Sequence, residues 1–174
     1  AVSFKFHACC HGLHAMLESL REIRGDIDAA AVRSVTVRTH PRWFAVCNQP
    51  APATGLEAKF SYRLTAAMAL AGVDTAALGS FSDAICRRPD LIAIRDRVEV
   101  VGDKGLTDTQ AVVRVQTDGR AHEARHDIAA AADPDRIEAR LKAKSDALLG
   151  RPAARALWSG ARTADAGGLA RLLG

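Results

Sequence analysis

Histidine, cysteine and lysine side chains are concentrated near the start of the chain, in residues 5–14 (KFHACCHGLH). If this stretch were helical, His7, His11 and His14 would share one face, because they are spaced by four and three residues. That face lies away from the apolar stripe of the helix that follows. We therefore expect His14 to point at solvent, at a cleft or at another domain. Imidazoles beside Lys5 could transfer protons or bind carboxylates.

Three other interpretations of this cluster stay open. Histidine and cysteine are the usual ligands of zinc, although the paired Cys-x-x-Cys and His-x-x-x-His spacing of structural zinc sites is missing. A cysteine nucleophile with a histidine base would also use these residue types, although no family signature surrounds Cys9 or Cys10. The simplest interpretation is a helix start whose exposed histidines have no function.

A second group of polar residues occupies positions 54–63 (TGLEAKFSYR), where we predict that a helix over 55–70 begins. Backbone N–H groups and the positive end of the dipole at a helix start attract carboxylates. With Lys59, Ser61 and Arg63 added, this segment could cradle an anion. The alternative is that Glu57 and these cations form ordinary surface ion pairs.

The elements that would position these groups are read from periodicity and turn signals. Helices are predicted over 12–24, 55–70, 82–87, 89–94, 134–149, 152–158 and 165–173, strands over 33–39, 97–101, 111–117 and 121–127, and a loop over 41–54. This order predicts an α+β fold with an antiparallel or mixed four-stranded sheet covered by helices. Residues 1–150 would form this domain, with a C-terminal helical extension over 151–174 packing on it.

Composition limits the classes of protein to which the chain can belong. Its 174 residues suit one domain, and 48% apolar with 25% charged residues is typical of a globular protein rather than a disordered one. The net charge of +4 includes no basic block, so we expect no nucleic-acid partner. No signal peptide or long apolar run occurs, so we expect no membrane partner and a cytoplasmic location. Because the chain begins with Ala-Val-Ser-Phe, we expect a processed product or a fragment.

Four motifs together resemble the MmgE/PrpD family. They are residues 5–15 (KFHACCHGLHA), residues 54–62 (TGLEAKFSY) before an Ala-rich helix, residues 81–83 (FSD) before 97–100 (RVEV), and the hairpin at 117–120 (TDGR). The GLEAKFS stretch is the most specific of them. The family includes 2-methylcitrate dehydratase, cis-aconitate decarboxylase and iminodisuccinate epimerase.

The resemblance implies that this chain is the smaller, C-terminal α/β lid domain of such an enzyme. Family members place their active site between this lid and a large helical domain, bind small di- or tricarboxylates, and need no metal or organic cofactor. By resemblance Lys5 and His14 match catalytic positions, and Lys59 and Ser61 match the motif at the start of the buried helix. Substrate-binding residues would be Lys59, Ser61, Arg63, His11 and His7.

The function implied is that of a 2-methylcitrate dehydratase-like lyase that abstracts a proton and eliminates water. An epimerase or a decarboxylase of the same family is the alternative. From a different class, a non-catalytic interaction or metal-binding domain with a Cys/His face is the other alternative. We expect the chain to be inactive without the helical domain, whether that is part of the same enzyme or a separate subunit. An exposed apolar face would favour a homodimer.

Overall fold

The computed structural model of the protein describes residues 3–130, 133–161 and 167–168. Contacts divide the chain into two compact units, residues 1–130 and residues 131–174. The first unit carries every predicted site residue.

The first unit contains six α-helices and four strands among the described residues. The helices are α1 (His14–Ile23), α2 (Phe44–Cys47), α3 (Gly55–Ala58), α4 (Tyr62–Leu70), α5 (Asp83–Cys86) and α6 (Pro89–Arg95), and the strands are β1 (Val32–Thr39), β2 (Val98–Gly102), β3 (Gln110–Thr117) and β4 (Ala121–Asp127). Single 3-10 turns lie at His11–Leu13, Arg24–Asp26, Ala29–Ala31, Pro41–Trp43 and Leu78–Ser80. All four predicted strands are therefore present.

The four strands form one mixed sheet in the order β2-β1-β3-β4, which confirms the predicted α+β class. β1 pairs with β2 in parallel and with β3 antiparallel, and β3 pairs with β4 antiparallel. One row of cross-strand neighbours runs through Val98, Val35 and Val115 to His122. All four are buried, so this row lies on the inner face of the sheet.

Two helices bring the candidate site residues to this sheet. α1 packs against β3 and β4, and α4 packs against α1, α6 and β2. α4 is buried at every position except Arg63, as predicted for a helix that is apolar all round. α1 is also buried through its first two turns, from His14 to Leu20. Burial on all sides fixes both helices in the core.

The single helix predicted over 55–70 is two helices, α3 and α4. Ser61 has extended dihedral angles (φ −116°, ψ 109°), and its hydroxyl accepts a hydrogen bond from Leu64 N as the N-cap of α4. The backbone of Ser61 also forms an isolated antiparallel bridge with Asn48. A serine that caps a new helix while pairing with another segment ends the first one, so Lys59 and Arg63 do not share a helix.

The predicted loop over 41–54 contains a 3-10 turn and α2, so that prediction was wrong in part. In this segment the indole Nε1 of Trp43 donates a hydrogen bond to the carbonyl of Asp108 (2.8 Å). Gly12 permits this packing, because a Cβ at that position would lie 2.5 Å from the Trp43 ring. A residue with any side chain at position 12 would push α2 away from the start of α1.

The hydroxyl of Tyr62 joins three elements inside the core. It donates to the carbonyl of Gly12 (2.7 Å) and accepts from the hydroxyl of Thr39 (3.0 Å). Its side chain is fully buried, which raises the pKa of Tyr62 and keeps the phenol protonated. The turn before α1, the end of β1 and the start of α4 are thereby held at one point.

The second unit contains α7 (Pro134–Leu149) and α8 (Arg151–Ala161). Asp133 caps α7 and Pro134 occupies its first turn, as the sequence predicted. Trp158 of α8 donates to the Ser145 hydroxyl of α7 (2.8 Å). The sequence analysis assigned α7 to the domain over 1–150, whereas the contacts of α7 group it with α8. That the C-terminal extension packs on the first domain stays a prediction. The helix predicted over 165–173 lies almost wholly outside the described residues.

Within the described ranges, none of the helices has both the length and the apolar character needed to cross a membrane.

Gly12 should tolerate no side chain. Gly12→Ala places a methyl group against the Trp43 ring, and we expect the free energy of unfolding to fall by about 1–3 kcal/mol. Gly25→Ala, at the other end of α1, meets no atom within 4 Å and should leave stability unchanged or raise it by less than about 1 kcal/mol. Urea denaturation of both variants checks this, and equal stabilities would contradict the close approach.

Candidate functional site

The three histidines of the first cluster lie together, although not by the helical spacing expected. Residues 4–10 are not helical, His11 begins a 3-10 turn, and α1 begins only at His14. The His14 ring centroid is 5.1 Å from that of His7 and 5.1 Å from that of His11. His14 is 1% exposed, so of the three expected surroundings (solvent, a cleft or another domain) solvent does not apply within this domain, and the other two stay predictions. The chain bends so that the rings converge inside the fold.

His7 is held on both ring nitrogens by buried partners. Its Nδ1 lies 2.7 Å from the hydroxyl of Thr75, and its Nε2 lies 2.8 Å from a carboxylate oxygen of Glu18. The other oxygen of Glu18 accepts from Nε of Arg21 (3.0 Å). Ala8 N donates to the carbonyl of Thr75 (2.8 Å), so the same loop fixes the backbone beside His7. The His7 ring therefore has little freedom to turn.

His14 is the least exposed of the three, and one of its ring nitrogens is unused. Its Nε2 is buried and has no hydrogen-bond partner among the described residues. The pKa of His14 is lowered to about 3, first by burial and then by the charges of His7, His11 and Lys5, against a backbone hydrogen bond to Cys9 that raises it. His14 is thus a neutral imidazole with a free nitrogen at physiological pH.

His11 and Lys5 extend the cluster toward the surface. His11 is half-buried, and its Nε2 lies 3.1 Å from the hydroxyl of Ser3. Partial burial and the charge of Lys5 lower the pKa of His11. Lys5 itself is exposed. The cluster therefore runs from an exposed ammonium group to a buried neutral imidazole.

The start of α3 does not offer the anion cradle that the sequence predicted. Gly55 N donates to a carboxylate oxygen of Asp83 (2.8 Å), and Glu57 N donates to the hydroxyl of Thr54 (3.2 Å). The Glu57 carboxylate accepts from the backbone of Ala53 and Thr54, which lowers the pKa of Glu57. The protein's own carboxylates already occupy this helix start.

The three predicted ligands of the second cluster have different surroundings. The Ser61 hydroxyl is fully buried, donates to the carbonyl of Gln49 (2.6 Å) and caps α4, which is a structural role. The Lys59 ammonium lies 6.0 Å from the Phe81 ring centroid, at the outer limit of a cation–π contact. Arg63 is half-buried, and its Nε has no hydrogen-bond partner within the described part of the chain. Their contact with substrate stays a prediction.

A backbone hydrogen bond joins the two clusters. Cys10 N donates to the carbonyl of Lys59 (2.9 Å), so the segment that carries His7 and His11 runs beside the turn between α3 and α4. The two stretches are 49 residues apart in the chain. The two stretches therefore meet at the level of the backbone.

Glu18 and Thr75 were missed by the sequence analysis. Glu18 lies four residues after His14 on α1, and a single carboxylate in a helix is ordinarily a solvent-facing residue. Its contact with His7 carried no sequence signal, because the two residues are 11 apart and His7 lies outside the helix. Thr75 lies in a turn after α4 and carried no sequence signal. Among the described residues, no group of three or more His, Cys, Asp or Glu side chains is placed to hold a metal ion.

Comparison with known proteins identifies the domain. A family profile described as the MmgE/PrpD C-terminal domain matches residues 7–157 of the 174. No curated protein matches the chain. The match covers the histidine cluster from His7 onward, the turn between α3 and α4, and all four strands.

The carboxylate of Glu18 should be needed to hold His7. Glu18→Gln removes the negative charge and replaces one of the two acceptor oxygens by an NH2 donor, so His7 and Arg21 no longer both face an acceptor. We expect a loss of about 1–3 kcal/mol in the free energy of unfolding. Glu22→Gln is the matched control, since Glu22 lies one turn further along α1 and pairs at the surface with His126. That change should cost less than about 1 kcal/mol. Similar losses in both variants would show that the buried pair has no special role.

The free energy of unfolding should depend on pH through His14. Its pKa is about 6.5 unfolded and about 3 folded, so between these values the unfolded chain binds more protons and stability falls as the pH falls. Between pH 7 and pH 5 we expect wild type to lose about 2 kcal/mol more than His14→Gln. Urea denaturation at both pH values measures this difference, and parallel losses in the two proteins would refute it.

Proposed function

The chain belongs to the MmgE/PrpD family, and from that premise we propose that it forms the lid of an enzyme that acts on small di- or tricarboxylates. The reaction proposed is that of a 2-methylcitrate dehydratase-like lyase, in which a base removes a proton beside a carboxylate and water is eliminated. His14 is the proposed base. Lys5 and His11 are proposed to bind the substrate carboxylates. The helical domain of the family would supply the other wall of the site.

The observation that supports this proposal is the free Nε2 of His14. A general base must be unprotonated and must have an available lone pair. Burial keeps His14 neutral, and no described residue occupies Nε2. A histidine with only a structural role in a core would ordinarily have both ring nitrogens satisfied, as those of His7 are.

The positive groups around His14 supply the second part of the chemistry. With a pKa of about 3, His14 is a weak base while the site is empty. A bound carboxylate would offset the charges of Lys5, His11 and His7, which are part of what lowers this pKa. Substrate binding would therefore raise the basicity of His14 at the moment that a base is needed. The Lys5 ammonium would also stabilise the enolate-like charge that develops as the proton leaves.

Dehydration, decarboxylation and epimerisation share this requirement for a base and a cationic surface. The three reactions differ in which bond breaks during or after the proton transfer. The proposal of a dehydratase therefore rests on the family resemblance, with epimerase and decarboxylase as the alternatives within the same site. Lys59 and Arg63, on the neighbouring turn and helix, are proposed to contact further carboxylates.

The test is turnover by this chain co-expressed with a helical domain of its own enzyme. 2-Methylcitrate, cis-aconitate and iminodisuccinate are offered in turn, and the new double bond, released CO₂ and change of configuration are followed. We expect dehydration of 2-methylcitrate, with kcat/KM lowered about 100-fold or more in His14→Gln and Lys5→Ala. The acid limb of kcat should lie at a higher pH than that of kcat/KM, because the bound carboxylates raise the pKa of the base.

Two variants serve as controls for general damage. His126→Gln removes a histidine from the surface pair with Glu22, and Lys104→Ala removes an exposed lysine from the turn after β2. Both should retain full activity. If Lys5→Ala and His14→Gln are as active as these controls, the proposed site is wrong, and turnover of only cis-aconitate or iminodisuccinate would replace the dehydratase by the corresponding alternative.

A further inference from the structure

Two cysteines from distant parts of the chain meet beside the histidine cluster. Cys47 Sγ donates a hydrogen bond to Cys10 Sγ, and the two sulfurs are 3.1 Å apart. Both are free thiols, and 37 residues separate them in sequence. A disulfide brings its sulfurs to about 2.05 Å, so a displacement of about 1 Å would suffice to form the bond.

The backbone on both sides of this pair is already fixed. Cys10 N donates to Lys59 O, and Cys10 O accepts from Leu13 N (3.1 Å), so Cys10 is held at the start of the 3-10 turn. Cys47 ends α2 and lies against Gly12, where a Cβ would be 3.0 Å from its sulfur. Neither cysteine can easily move away from the other. The fold therefore keeps the two thiols together without a covalent bond.

We propose that Cys10 and Cys47 form a site of reversible disulfide modification, with a peroxide as the oxidant. This site is independent of the proposed catalytic function. Cys10 is partly exposed whereas Cys47 is fully buried, so Cys10 meets the oxidant first.

The reaction balances in two steps. Cys10 loses its proton, and the thiolate attacks one oxygen of the peroxide. The O–O bond breaks, and the departing hydroxide takes up the proton that the thiol released, which gives a sulfenic acid and one water. The Cys47 sulfur then attacks the Cys10 sulfur, and the departing hydroxide takes the Cys47 proton to give a second water. In sum two thiols are oxidised by two electrons and one hydrogen peroxide is reduced to two waters. Burial raises the pKa of the Cys47 thiol, which fits its role as the second rather than the first sulfur to react.

The bond would have a defined structural consequence. It would tie the segment that carries His7 and His11 covalently to the end of α2, beside the first residues of α1. A link across 37 residues restricts the unfolded chain, so the oxidised protein should be the more stable form. The other two cysteines provide controls for the assignment of the disulfide. Cys9 is buried beside Cys10, and Cys86 donates hydrogen bonds to the backbone carbonyls of Thr54 and Ser82.

The test is treatment of the reduced, purified chain with hydrogen peroxide, followed by alkylation and tryptic digestion. We expect two of the four thiols to be lost and peptide 6–21 to be joined to peptide 43–59. Dithiothreitol should reverse the link. The melting temperature should rise by roughly 5 °C or more on oxidation.

Single variants decide which sulfurs react, because Cys9 and Cys10 share one tryptic peptide. Cys10→Ser and Cys47→Ser should abolish the link, whereas Cys9→Ser and Cys86→Ser should retain it. Circular dichroism before oxidation confirms that each variant is folded, and if Cys47→Ser does not fold, Cys10→Ser carries the test. Four unreacted thiols in wild type, a link that survives Cys10→Ser, or disulfide-linked dimers in place of the internal bond would each overturn the proposal.

Discussion

The position of the candidate site depends on the buried hydroxyl of Tyr62. This group binds the carbonyl of Gly12 and the hydroxyl of Thr39 at once, and all three lie in the core or at its edge. A buried hydroxyl without partners would be costly, so the arrangement is favoured only when the turn before α1, the end of β1 and α4 are all in place. The segment that carries His7 and His11 is thereby held in a fixed position relative to the sheet. Changes at any of the three positions would act on the site without touching it.

The short interruption between α3 and α4, just before Tyr62, also determines where the site forms. The turn at Lys59 brings a carbonyl to Cys10 N, and the bridge between Ser61 and Asn48 holds the end of α2 beside it. An uninterrupted helix over 55–70 would direct that carbonyl into its own hydrogen-bond ladder. The break in the helix is therefore what allows two distant stretches of sequence to meet. It also places Cys47 within reach of Cys10.

Much of the fold follows from local patterns, and the site only in part. Periodicity and turn signals were enough to predict β1 over 33–39 and the neighbouring strands β3 and β4. The break at Ser61 was not predicted, because the apolar pattern continues across it and its bridge partner is 13 residues away. The burial of His14 was not predicted either. It depends on a bend in residues 7–10 and on the packing of α1 against both the sheet and α4, and such long-range contacts leave no trace in periodicity.

The two buried histidines of the cluster differ in their partners. His7 has the carboxylate of Glu18 beside it, so a proton on His7 would be compensated inside the protein. Among the described residues no carboxylate bonds Nε2 of His14. Its pKa is lowered to about 3 mainly by burial, and the charges of His7, His11 and Lys5 act in the same direction, so the ring is neutral. The one carboxylate beside the three histidines thus bonds a nitrogen of His7, whereas Nε2 of His14 has no partner among the described residues. That asymmetry would be lost if the acidic residue stood near His14 instead, and it is the feature that distinguishes this cluster from a group of histidines merely packed together.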